Sequence, residues 1–263
     1  MNVNVLLKSS LCIILFAGCA TLNSNTIANN NLLRSVERND VSGVKLALNN
    51  GADVNARNMQ GYPALIIASG ANYIDLLKIL IKKGADVNIR ETEERYRMGL
   101  TPLLVASSAG NCDVAKILLD NGADVQKKSF VGMSAIMCTF FNKRISQHKK
   151  NEIAGLLITH GASPNQQNDK GQSLLMLSTV YGYEGNVEYL ISKGADVNSR
   201  SHEGYTALIY ASLLGKEDIA KLLISNGADV NAQSRVGASS LFFAQMKGYG
   251  RIVNLLRKAG ARE

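Results

Sequence analysis

Apolar and polar positions alternate along this chain in a way that predicts short amphipathic helices, each stopped by a glycine. Leu76-Leu77-Lys78-Ile79-Leu80-Ile81 is a representative apolar run, and Gly84 follows it where a left-handed turn must end the helix. Three places before such glycines stand Leu48, Ile81, Leu119, Ile158, Ile191 and Ile224, but Arg257 before the last. A second glycine (Gly61, Gly99, Gly132, Gly171, Gly204, Gly237) precedes the next helix, so the unit is turn, helix, helix. Asn31 to Asn50 reads as a helix pair without a preceding hairpin. A polar residue at Arg257 suits an end with no neighbour to cover it.

The turn itself is a motif. Gly-Ala-Asp-Val-Asn occurs at 51–55, 84–88, 194–198 and 227–231, with variants at 122–126 and 161–165 and a truncated form from Gly260. The glycine spacings are 33, 38, 39, 33, 33 and 33. In this motif and period, over roughly Asn31 to the C-terminus, the chain resembles the ankyrin-repeat family. Thr101-Pro102-Leu103 matches the start of the family's Thr-Pro-Leu-His signature, with Thr101 expected to cap a helix and Pro102 to fill its first turn. The family's histidine is replaced by Ile66, Leu104, Met137, Met176, Ile209 and Phe242, so apolar packing is expected where the family uses polar links. The resemblance implies an all-α repeat solenoid, helix-turn-helix pairs joined by β-hairpin fingers, with about seven units including caps.

Two segments break the period. IRETEERYRM, between Asn88 and Gly99, should lengthen one finger, and Tyr96 is its candidate anchor. Around 142–150, NKRISQHKK adds residues between two paired helices and reads as an exposed basic loop; Lys149 stands where a helix-start glycine is usual, so this repeat is expected to be the least stable.

The N-terminus reads as an address. In MNVNVLLKSSLCIILFAGCA a positive charge precedes a short apolar run and small residues, which is signal-peptide grammar and too short to span a bilayer. Leu15-Phe16-Ala17-Gly18-Cys19 resembles the bacterial lipobox, which implies cleavage after residue 18 and lipidation of Cys19. The organisation is then 1–18 signal peptide, 19–30 polar lipid-anchored tether and 31–263 ankyrin-repeat domain. An outer-membrane or periplasmic-face lipoprotein is expected, with a soluble periplasmic or secreted protein as the alternative.

Composition bounds what remains. Hydrophobic residues make up 46% and aromatics 6% with no Trp, which fits many similar aliphatic layers. The formal charge of +8 reads as scattered and eases approach to acidic partners. Four cysteines lack metal or disulfide-framework spacing, and Cys112 and Cys138 read as small reduced core residues. No nucleophile, phosphate or metal motif is present, so no enzyme, cofactor or small-molecule substrate is expected. His148, His160 and His202 lack ligand spacing. The resemblance implies a monomeric protein-binding scaffold, and the signal peptide argues against nucleic acid.

Candidate contacts follow. Finger positions two after the turn Asn (or Gln126) are Arg57, Arg90, Lys128, Gln167, Arg200 and Gln233, a broken basic row. With Tyr96, Phe130, His202 and Arg235 these supply the aromatic and arginine anchors expected of an interface. The alternative is electrostatic binding of anionic lipid or glycan through the same basic residues.

Overall fold

The structure is a computed structural model that describes residues 24–92 and 98–262. It forms two compact units, one up to His160 and one from Gly161. In the first, helices pair as α1 (Ser24–Glu37) with α2 (Val41–Asn49), α3 (Ala64–Ala71) with α4 (Ile74–Lys82), α5 (Pro102–Ala109) with α6 (Cys112–Asp120), and α7 (Ala135–Phe141) with α8 (Gln147–Thr159). In the second, α9 (Leu174–Val180) pairs with α10 (Glu184–Ser192), α11 (Ala207–Leu213) with α12 (Glu217–Ser225), and α13 (Ser240–Met246) with α14 (Gly250–Lys258). These seven pairs match the expected all-α repeat architecture. Among the described residues the fingers hold no strand, only isolated bridges at Arg57–Pro63, Gln167–Ser173 and Gln233–Ser239.

Each helix starts and stops where local chemistry dictates. Thr101 accepts a hydrogen bond from the Leu104 amide and Pro102 occupies the first turn, as expected. Ser173, Thr206 and Ser239 cap their helices in the same way. Gly84, at φ +86°, takes the left-handed turn that ends α4. Leu80, Leu118, Leu157, Leu190, Leu223 and Leu256 line the outer-helix core with no exposure. Burying each contributes on the order of 1.5–3 kcal/mol. Ile66, Leu104, Met137, Met176 and Ile209 are buried as well, so apolar packing has replaced the family's histidine.

The turn motif is explained by what its Asp and Asn do. Asp86 Oδ1 accepts from the Asn88 amide, closing a local turn. Asn88 then reaches into the next finger, where its Oδ1 accepts from the Asp124 amide at 2.8 Å and its Nδ2 donates to the Gly122 carbonyl at 2.9 Å. In the second unit Asn165, Asn198 and Asn231 make the same pair of bonds, to residues 194–196, 227–229 and 260–262. Each asparagine is a staple between consecutive repeats.

Two readings change. Residues 24–30, read as part of a flexible tether, are the first turns of α1: Ala28 is buried and Asn29 Oδ1 accepts from the Asp53 amide at 2.7 Å. The 142–150 segment is not a free basic loop. Asn142 Nδ2 donates to Ser108 O, Ile145 packs on Gly110, and residues 147–150 already belong to α8. Lys150 is buried, its Nζ 3.2 Å from Phe140 O, and burial lowers its pKa. The remaining bases of that segment, Lys143, Arg144, His148 and Lys149, are exposed. Where the first insertion begins, Glu91 is buried, accepting from the Met98 amide, and burial raises its pKa against the pull of the nearby Leu100, Met98 and Gly99 amides.

Candidate interaction surface

The finger arginines are placed by the staples and in turn bridge the fingers. Arg57 Nη1 donates to Gly61 O at 3.2 Å and to Arg90 O at 2.6 Å. Arg90 Nη1 donates to the Gly99 carbonyl and to Lys128 O at 2.9 Å. Its guanidinium also lies 5.3 Å from the Phe130 ring centroid. Thus Arg57, Arg90, Lys128 and Phe130 form one connected row in the first unit. In the second, Arg200 Nη1 donates to Gln233 O at 2.8 Å, and Gln167 reaches Ser199 and Arg200 similarly. A planar guanidinium satisfying carbonyls of two successive turns explains a basic residue here without invoking a partner.

The fingertips are where side chains leave the scaffold. Phe130 is 60% exposed, with its ring set over Gly99, where a Cβ would come within 2.7 Å of it. His202 covers Gly171 in the same manner. The Phe130 amide donates to Met98 O, the His202 amide to Lys170 O and the Arg235 amide to Glu203 O, so each tip is hydrogen-bonded to the previous one. Met59 and Val236 stand fully or largely in solvent. Tyr96 and Cys19 lie outside the described residues.

Sequence reasoning missed an aromatic cluster on the inner helices of the second unit. Tyr205 and Tyr210 stack at 5.2 Å, Tyr205 meets Phe243 at 6.0 Å, and Phe243 meets Phe242 edge-on at 5.5 Å. Tyr210 Oη accepts from Gln172 Nε2. A visible signal existed: Leu177, Tyr210 and Phe243 share one position in successive repeats, directly after the apolar column. Only the ring contacts of Tyr205 show that Tyr210 and Phe243 join.

Burial pushes the Cys138 thiol up to about 12 and Cys112 up to about 11, so both are protonated and weakly nucleophilic near neutrality. His160 hydrogen-bonds Leu156 O and lies 3.7 Å from Asp120, a surface contact. Among the described residues no cluster of three His, Cys, Asp or Glu could hold a metal, and no helix is long and apolar enough to cross a membrane.

The family model for ankyrin repeats in three copies matches residues 32–129 and 144–234. An ankyrin repeat protein of Acanthamoeba polyphaga mimivirus is 28% identical over 161 residues, 61% of this chain and 15% of that protein. A B-cell lymphoma 3 protein homolog of Mus musculus is 39% identical over 59 residues, 22% of this chain and 13% of the relative. The matches thus span a small part of either relative's length. A crystal structure of an ankyrin repeat domain from Acinetobacter baumannii AYE superposes with a TM-score of 0.65 at 29% identity, covering 75% of this chain and 98% of that one.

Proposed function

We propose, from the premise that this chain belongs to the ankyrin-repeat family, that it is a non-catalytic protein–protein interaction scaffold displayed on the bacterial cell envelope as a lipoprotein. One observation carries the binding part: exposed apolar tip residues such as Phe130 and Met59 stand on fingers whose backbones are bonded repeat to repeat. The backbones that carry them, and the Phe130 ring beside Arg90, are positioned before a partner arrives, which lowers the ordering cost of association. The envelope part is supported by the apolar run ending in Ala17-Gly18-Cys19, with Cys19 as the lipid acceptor.

A photo-crosslinking residue at position 59 or 130 of the full chain in cells should yield a discrete protein adduct. Failure of both positions to crosslink any protein would remove the finger-borne scaffold reading. Labelling with a palmitate analogue should mark the wild type and not Cys19→Ala; equal labelling would remove the lipid anchor. The electrostatic alternative, binding anionic lipid or glycan, is weakened because Arg57, Arg90 and Arg200 already serve backbone carbonyls. It would be favoured instead by binding that collapses as salt rises.

A further inference from the structure

The dipeptide Asn-Gly occurs three times in this chain, at 50–51, 121–122 and 226–227. Each closes an outer helix, with Asn50, Asn121 and Asn226 as the C-cap residues of α2, α6 and α12. The pair carries a reaction of its own, because a glycine without Cβ leaves its backbone nitrogen open to the preceding side-chain carbonyl. The chemistry needs only water. The glycine nitrogen bonds to Asn Cγ, the Cγ–Nδ2 bond breaks, and ammonia leaves with the proton of the glycine N–H. Water then opens the succinimide ring at either carbonyl. The products are aspartate and isoaspartate, the second with the main chain running through Cβ and Cγ.

Sequence and exposure do not separate the three pairs. All six residues are exposed, and a Cβ at any of the three glycines would meet nothing within 4 Å. The cap backbones are alike, with φ −86°, −104° and −105° and ψ 15°, 19° and 23°. Hydrogen bonding does separate them. Asn121 Nδ2 donates to Ile117 O and Asn226 Nδ2 to Leu222 O, both at 2.8 Å. Each of these side chains is tied back along its own helix, and that bond must break before Cγ can turn to the glycine nitrogen. The Asn50 side chain makes no hydrogen bond among the described residues.

The backbone at this turn is also the least held. Gly51 N–H reaches Leu48 O at 3.3 Å, against 3.1 Å for the matching bonds of Gly122 and Gly227. The Gly122 and Gly227 carbonyls receive Nδ2 of the staples Asn88 and Asn198. At the first junction Asn29 bonds the Asp53 amide, and the Gly51 carbonyl has no partner among the described residues.

We propose that Asn50 is a site of non-enzymatic deamidation, the first of the three Asn-Gly pairs to convert in the folded protein. The product acts on the first repeat junction. A carboxylate at residue 50 sits at the negative end of α2. Isoaspartate adds one carbon to the main chain three residues before the Asp53 amide that Asn29 holds. Conversion therefore loosens the first finger from α1.

The test incubates the full chain in mildly alkaline buffer and follows all three pairs by mass-spectrometric peptide mapping. Residue 50 should convert about fivefold or more faster than 121 or 226, the effect of one retained hydrogen bond. In the urea-unfolded chain the three rates should converge. Asn50→Lys, which places there the residue type of Lys83 and Lys193, should remove the signal and leave the fold intact. Asn50→Asp should accelerate hydrogen exchange at the Asp53 amide, and unchanged exchange would overturn the effect on the junction. The site itself is overturned if Asn121 or Asn226 converts as fast as Asn50 in the folded chain. It is equally overturned if residue 50 leads by the same margin in urea, which would assign the lead to local sequence.

Discussion

Arg90 and Phe130 are partners across a finger junction: the guanidinium lies 5.3 Å from the ring centroid while its Nη1 bonds the Lys128 carbonyl at 2.9 Å. One side chain therefore holds both the backbone and the exposed ring of the next finger. Arg90→Ala should destabilise the chain by about 1–3 kcal/mol in urea unfolding, from two charged hydrogen bonds and a cation–π contact. Arg90→Lys should recover only part of this, because an ammonium lacks the planar fork. Full recovery by lysine would show that charge alone matters.

The asparagine staples make a sharper prediction. Asn198→Ala removes bonds to both the Asp229 amide and Gly227 O, and should cost about 1–2 kcal/mol. Hydrogen exchange at the Asp229 amide should accelerate with it. Asn198→Asp keeps the acceptor and should protect that amide while losing the other bond.

Asn186 lies in α10 with no exposure, and neither its Oδ1 nor its Nδ2 has a hydrogen-bond partner. It stands eight residues before a capping glycine, where α2 carries Gly43 and the other five outer helices carry Leu76, Val114, Ile153, Ile219 and Ile252. Asn186→Val should stabilise the protein by about 1–3 kcal/mol, the desolvation cost of an unmet amide. A calorimetric midpoint below that of the wild type would show that the amide is needed.

The two buried ions predict opposite pH slopes. Burial raises the Glu91 pKa above 4.5, so the folded state holds its proton more tightly and stability falls as pH rises through that range. Burial lowers the Lys150 pKa below 10.5, so the unfolded state binds more protons and stability rises as pH climbs toward 10.5. Glu91→Gln should remove the first slope and Lys150→Met the second. Each is read as the difference from wild type in urea midpoints across pH, because half-buried Cys112 and Cys138 also titrate at the alkaline end.

How much was legible depended on how local the cause was. The glycine after Ile81, the Thr101-Pro102 start and the Asp-Asn turn act within a few residues, so their pattern announced seven helix pairs. The boundary at residue 30 failed because polar Asn29 is used by Asp53, a partner 24 positions away. Arg57 and Arg90 looked like a binding stripe because a sequence shows charge but not the carbonyl that receives it. Phe242 was hidden differently: it shares a column with five core residues, and only its 52% exposure sets it apart.

By itself, then, the sequence determined the repeat, its period, its caps and the absence of visible catalytic motifs, since each follows from short-range sterics and hydrogen bonding. The tertiary structure decided which polar residues are spent inside the scaffold and which face outward. That outcome depends on whether the next repeat, 33 residues on, brings a carbonyl, an amide or nothing to meet them.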